Sequence, residues 1–458
     1  MATPLRPSRR EFFRQAACSA VGYGAIVSTV FDLHMVNALA QSADYRALVC
    51  VFLFGGNDAN NTIVPAGGDY AAYQAGRGVL ALPQADLLGI TPSNGDGRSW
   101  ALPPAMADAR TLFEQRKLAL VCNVGSLVAP VTRAEYRAGR AKLPPQLFSH
   151  SDQQVQWQTS VPDSDTRLGW GGRTADLLRS LNGNAQVSMS ISLSGSNTFQ
   201  VGRDVFQYQV GSTGSVRLSE YRPVSPVQTS DAYRQSRAID AILARAHTNV
   251  FENAYRKTVR GAIDNDQLLV ASLAAAPPLA TVFPATTLGR QLNMAARLIA
   301  IRGALGHRRQ IFFCSAGGYD THGNQLSDQA RLLGELSAAL GAFHAATVEL
   351  GVEPNVTAFT ASDFGRTYQT NGQGSDHGWG SHHLVVGGAV RGGAFYGRMP
   401  DLVVNGPDDT SQGRWIPQVS VDEYSATLAR WFGVSASDLP MVFPNIGRFR
   451  TTNLGFLG

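Results

Sequence analysis

The chain has 458 residues, with 39 lysines and arginines against 34 aspartates and glutamates, 47 glycines, 22 prolines and 4 cysteines. That length buries a substantial core as one large domain or two ordinary ones, and 44% hydrophobic with 16% charged residues excludes disorder driven by charge repulsion. Without the first forty residues, where Arg6, Arg9, Arg10 and Arg14 outnumber Glu11 and Asp32, 35 basic and 32 acidic residues remain, a net +3 that excludes a nucleic-acid partner.

In chain order, Ser8-Arg9-Arg10-Glu11-Phe12-Phe13-Arg14 forms a twin-arginine pattern, followed by a mild apolar stretch from Ala16 to Phe31. That stretch is too short to span a bilayer comfortably and reads as a signal segment. Ala38-Leu39-Ala40 supplies the small residues of a cleavage site, so residues 1–40 are expected to be removed after Ala40 and Gln41 to begin the mature protein. Twin-arginine signals are addresses read by a receptor. The expected partner is the twin-arginine export machinery and the expected location is the periplasm, with no transmembrane helix in the mature protein. Cargo of that pathway crosses folded, often with a cofactor aboard.

Six short apolar runs bounded by Gly, Asn and Asp follow: 47–54, 118–124, 187–192, 310–315, 356–361 and 383–387. Runs of this kind read as strands buried on both faces, the mark of a parallel sheet. Helical patterns at 104–116, 171–181, 287–305 and 327–350 alternate with them, which predicts an α/β fold, doubly wound, with a mostly parallel sheet sandwiched by helices. Residues from about 195 to 285 depart from the alternation and read as a capping insertion within a single domain spanning 41–458. Cys50, Cys122 and Cys314 each lie inside an apolar run and read as small buried hydrophobes, not as a disulfide framework.

In such folds the chemistry sits at the carboxyl ends of strands. There the sequence reads Gly55-Gly56-Asn57-Asp58-Ala59-Asn60-Asn61, then Gly317-Gly318-Tyr319-Asp320-Thr321-His322-Gly323-Asn324, then Ser362-Asp363-Phe364-Gly365-Arg366-Thr367 and Asp376-His377-Gly378-Trp379-Gly380-Ser381-His382-His383. Asp58 alone reads as a turn former, and an Asp after a strand often only caps a helix. Carboxylates and imidazoles recurring at successive strand ends are what a divalent metal of the Zn²⁺ or Mn²⁺ kind needs, whereas a Ca²⁺ site would rely on oxygens alone. The segment Phe148-Ser149-His150-Ser151-Asp152 places Ser149 or Ser151 at a helix start, where free N–H groups favour an anion. Arg366 reads as a clamp for a tetrahedral anion or as an ion-pair partner of Asp320 or Asp376. No Gly-x-Ser-x-Gly, Ser-x-x-Lys, HExxH, P-loop or dinucleotide fingerprint occurs.

The FGGNDANN, GGYDTHGNQ, SDFGRT and SDHGWGSHH segments, in that order after a twin-arginine signal, resemble the DUF1501 family of exported bacterial proteins. That family is similar in fold to the alkaline phosphatase and sulfatase superfamily. The resemblance implies an alkaline phosphatase-like domain holding one or two divalent ions, with Asp58, Asp320, His322 and Asp363 as ligand candidates and His377 or His382 as the last; Asp376, at another strand end, joins the candidates from the residues alone. The family's Ser-His pair further implies Ser149 as nucleophile, with Ser151 or an activated water as alternatives, beside Arg366 as the anion clamp read from the residues. Two features depart from the superfamily pattern: Asp320-x-His322 is a shorter spacing, and Phe364 stands where a histidine would be. No Cys-x-Pro-x-Arg occurs, which excludes a formylglycine sulfatase. The expected function is a metal-dependent hydrolase or transferase acting on a phosphate or sulfate ester. The alternative is a non-catalytic scaffold of hydrolase-like fold that binds an anionic glycan or a protein partner.

Overall fold

The computed structural model describes residues 45–458 apart from 217, 219, 220, 224–226 and 247; the twin-arginine segment and cleavage site lie outside the described residues. The molecule is built on a ten-stranded sheet. Its main strands are β1 (Arg46–Leu53), β2 (Leu118–Gly125), β3 (Ser190–Ser192), β4 (Tyr208–Gly211), β5 (Arg309–Ala316), β6 (Val356–Ser362) and β7 (Ser381–Gly387). They lie side by side in the order β2-β7-β6-β1-β5-β3-β4. From β6 to β4 every pairing is parallel. β7 runs antiparallel to both β6 and β2, so the sheet is mostly parallel, as expected, with one strand reversed.

Alternation along β1 explains why its sequence is continuously apolar. Ala47, Val49, Val51 and Leu53 enter one core cluster, and Leu48, Cys50 and Phe52 enter another on the opposite face. The first cluster is closed by helices α1 (Ala107–Glu114), α6 (Thr287–Ala300) and α7 (Gln325–Glu349). The second is closed by α2 (His150–Thr159), α3 (Trp170–Leu178) and α8 (Val421–Phe432). A strand whose two faces both meet helices has no polar face to show, and each fully buried Val, Leu or Phe contributes roughly 1.5–3 kcal/mol. Cys50, Cys122 and Cys314 are free and buried in these clusters, and burial pushes all three thiols well above their ordinary range.

The stretch expected as an insertion, 195–285, rejoins the sheet through β4, which pairs with β3. It continues in α4 (Asp231–Leu243) and α5 (Val250–Ala275). α5 buries only Ile263 and Leu269, so most of its surface faces outward. Among the described residues, no helix is long and apolar enough to cross a membrane.

The antiparallel sense of β7 has a direct effect on the candidate site. Because β7 starts where β6 ends, the whole connection 363–380 stays at the carboxyl edge of the sheet. Its two motif segments are zipped together by Thr367 N–H to Asp376 O, 2.9 Å, Gly365 N–H to Trp379 O, 3.0 Å, and Gly378 N–H to Gly365 O, 2.8 Å. β1 and β5 are parallel to β6 and end at the same edge, delivering Gly55–Asn61 and Gly317–Asn324 beside it.

Candidate metal centre

Glycines let these strand ends approach closely. A Cβ on Gly55 (φ +116°) would lie 2.3 Å from the Asp320 backbone nitrogen, and one on Gly56 (φ +85°) 2.6 Å from the Phe364 ring. With no side chain there, the first loop packs flat against the other two. Gly55 donates its N–H to Asp363 Oδ2 at 3.2 Å, and its carbonyl accepts from Arg366 Nη1 at 3.2 Å.

On this floor Asp320 Oδ1 is met from several directions. His322 Nε2 lies 2.9 Å away, His377 Nε2 3.3 Å, His150 Nε2 3.4 Å and Arg366 Nη1 2.7 Å. His322 Nε2 and His377 Nε2 are 3.1 Å apart. One donor atom each from His150, Asp320 and His377 falls within 4.8 Å of the others. Two of the three imidazoles have their tautomer set from behind. The Phe148 carbonyl can only accept, so His377 Nδ1, 2.7 Å from it, carries the proton. Asp363 Oδ2, 2.7 Å from His150 Nδ1, does the same for His150. Each Nε2 is therefore left with its lone pair aimed at the cluster, the arrangement that metal-ligating histidines adopt when the far nitrogen is hydrogen-bonded. His150 Nε2 and Asp363 Oδ1 are buried atoms without a hydrogen-bond partner.

The spacing suits a metal. Four ligands with bonds of roughly 2.0–2.1 Å in a tetrahedron stand about 3.3 Å from one another, close to the separations from Asp320 Oδ1 to His150 and His377. Lone pairs facing a carboxylate oxygen at that range repel unless a cation or a proton lies between them. The donor set of imidazoles with one carboxylate fits a Zn²⁺-like ion. His150, His377 and Asp320 would hold it, with His322 in reach of a fourth position.

Electrostatics follow from these contacts. The hydrogen bond to Asp363 raises His150 above its ordinary value against the pull of burial. Burial lowers His377. Burial pushes Asp320 upward, but the Arg366 hydrogen bond and charge, with His322 and His150, outweigh it and hold the carboxyl below the usual range. Phe364, fully buried, lies under both imidazoles, with ring centroids 4.8 Å from His150 and 4.7 Å from His377. Phe364 is thus an apolar support shared by the two imidazoles.

The residues expected as ligands divide into three groups. Asp320, His322 and His377 meet in the cluster. Asp363 stands behind it, also accepting from Gln154 Nε2 at 2.9 Å, and Asp376 Oδ1 lies 3.4 Å from His322 Nδ1. Asp58 and His382 are not brought to the cluster. The Asp58 carboxylate is wholly buried and spent on the Arg77 guanidinium, on Gln325 Nε2, and on Asn60 N and Nδ2 at 3.1 Å each. His382 lies within β7, where Asn123 N–H donates to its Nδ1 at 3.0 Å and burial pushes its pKa down to about 4. The neighbouring His383 points to the other face, against Trp157 and Tyr424.

Ser149 precedes α2, but its hydroxyl is hydrogen-bonded to Asp152 Oδ2 at 2.6 Å. Arg366 is buried, with Nη1 on Asp320 and the Gly55 carbonyl and Nη2 on the Ser375 carbonyl; it braces the site from within. The ligand candidate the sequence did not single out is His150, at the first turn of α2. Its only sequence signal is its place in a Ser-His pair at a helix start.

Residues 45–439 match the family described as a protein of unknown function (DUF1501), and the chain belongs to that family. No curated protein matches it. Among solved structures it is similar to the PsFucS1 sulfatase from Pseudoalteromonas sp., at 12% identity and TM-score 0.34, over 90% of this chain and 73% of that one. It is also similar to Ps i-CgsB in complex with k-i-k-neocarrahexaose, at 11% identity and TM-score 0.31, over 88% and 77%. At these scores neither likeness bears on function.

Proposed function

We propose that this member of the DUF1501 family is an exported, metal-dependent hydrolase or transferase of phosphate or sulfate esters. Its fold is read as alkaline phosphatase-like, with 195–285 as a cap. The observation that carries the reading is the convergence of His150 Nε2 and His377 Nε2 on Asp320 Oδ1, each imidazole with its proton fixed on the far nitrogen. A divalent ion held there supplies Lewis acidity toward an ester oxygen or a water.

The chain's own residues do the rest. Asp363 and the Phe148 carbonyl orient two imidazoles, Arg366 positions Asp320, and Phe364 keeps water from beneath them. His322 and Asp320, whose side chains are 47% and 45% exposed, leave the solvent side open to a substrate. Ser149 donates to Asp152 Oδ2 at 2.6 Å, the contact through which a carboxylate acts as general base on a hydroxyl, so Ser149 and a water both stand as nucleophile. Both terminal nitrogens of Arg366 are committed inside the protein, which favours the second reading, a non-catalytic scaffold of hydrolase-like fold that binds an anionic glycan or a protein partner.

The test uses mature protein loaded with Zn²⁺ or Mn²⁺ and assayed on aryl phosphate and aryl sulfate esters beside His377→Ala. Hydrolysis that needs the added ion and disappears in His377→Ala is the expected result. A loaded protein that turns over neither ester leaves the scaffold reading in its place.

A further inference from the structure

On another part of the surface lies a cleft of about 800 Å³ whose lining includes Arg133, Arg137, Arg398 and Arg450 as well as Glu135, Asp408 and Glu423. Each carboxylate has hydrogen-bond partners, but only Asp408 pairs with an arginine, and Glu135 and Glu423 keep their charge in the cleft. Glu135 accepts from Thr132 N at 2.9 Å and Oγ1 at 2.7 Å, as the far half of a capping box, and Glu423 does the same for Ser420 at 2.9 and 3.0 Å. Asp408 takes Arg398 Nη2 at 2.5 Å and the Asp401 N–H at 2.8 Å.

Three guanidinium groups have no carboxylate partner, and the lining as a whole, four arginines against three carboxylates, is net positive by one. Arg133 uses only Nε, on the Asp409 carbonyl at 2.8 Å, and Arg137 makes one long contact, 3.4 Å, with Asn405. Arg450 has no partner among the described residues. Arg133 and Arg137 stand four apart on the short helix Arg133–Arg137, where like charges lie side by side and destabilise the helix. The cleft floor is apolar: Leu127, Val131 and Ile416 pack on Trp379, with Phe449 alongside. Unpaired guanidinium groups above an apolar floor match a carbon chain that carries repeated oxyanion groups, since each planar fork can take two oxygens of one anion.

We propose that this cleft is a binding site for an oligoanion, a flexible chain bearing sulfate, phosphate or carboxylate groups at intervals. It shares no lining residue with the metal centre and stands whether or not that centre hydrolyses esters.

The experiment is titration of the mature protein with a sulfated dextran oligosaccharide, a polyphosphate of similar length and an oligogalacturonate, with uncharged dextran as control. Binding of at least one charged probe with Kd below roughly 1 mM, and of no uncharged dextran, is expected. The probe bound most tightly identifies the source of the anion. Arg137→Gln with Arg450→Gln changes only exposed side chains and should raise that Kd at least about tenfold, with Arg133→Gln added raising it further. His150→Ala should leave it unchanged. Failure of every charged probe to bind, an unchanged Kd in the arginine variants, or loss of binding in His150→Ala alone would each overturn the proposal.

Discussion

His150 and Asp363 are joined by a hydrogen bond of 2.7 Å between Nδ1 and Oδ2, although 213 positions separate them in the chain. The bond fixes the imidazole proton on the inner nitrogen and turns Nε2 outward to Asp320. Asp363 is completely buried at the end of β6, and its other oxygen has no partner. A buried carboxylate kept for one imidazole, with the Gly55 and Gln154 donors assisting, is costly unless the imidazole has a task.

That relationship gives the first prediction. Asp363→Asn keeps the shape but weakens the hold on the His150 tautomer and its basicity. Affinity for Zn²⁺, measured by competition with a chromophoric chelator, should fall roughly 10–100-fold. An unchanged affinity would remove Asp363 from the site.

Asp58 gives a contrasting prediction. Its carboxylate and the Arg77 guanidinium form an ion pair with both side chains fully buried. Asp58→Ala strands the arginine in the interior and should cost about 3–5 kcal/mol of unfolding free energy, while Zn²⁺ stoichiometry at a temperature where the variant stays folded is unaltered. Denaturant titration beside metal analysis separates the two effects. Lost metal with unaltered stability would return Asp58 to the ligand set.

A third prediction concerns pH. Asp422, near the start of α8, is 1% exposed, and burial pushes its pKa up to about 8, with the Ser160 hydroxyl and the Arg173 charge pulling only part of the way back. Its folded value exceeds the unfolded one, so the folded state holds a proton that the unfolded chain has lost. The contribution of Asp422 is then fully present below about pH 4 and fades as pH climbs toward 8. Asp422→Asn, which stays neutral, should gain stability over the wild type as pH rises from 5 to 8. Parallel stability profiles for the two proteins over that range would show that Asp422 is ionised in the folded state.

Much of the sheet was legible because continuous apolar runs, once bounded by Gly and Asp, leave few other structures open. The strand at 46–53 and the helix at 325–349 lie within a residue or two of their sequence limits. The direction of β7 was not legible: a strand buried on both faces is apolar throughout, whichever way it runs. Nor was the sorting of the acidic residues. Asp58 and Asp320 follow strands in similar Gly-rich loops and each meets an arginine; what separates them is that the helix Tyr70–Arg77 buries Asp58 completely against Arg77, while Asp320 stays half-exposed among the imidazoles. His150 comes to the cluster from α2, on a long-range contact that no local pattern records. His382 reads as a ligand beside His377, yet β7 carries it, with His383, into the interior.

The most direct test of the metal centre is crystallographic: zinc-loaded mature protein, with anomalous diffraction collected on both sides of the zinc edge. The account predicts one strong peak at roughly 2.0–2.2 Å from His150 Nε2, His377 Nε2 and Asp320 Oδ1, lost in Asp320→Ala. A protein that takes up no zinc, or whose peak lies away from these three atoms, would contradict it.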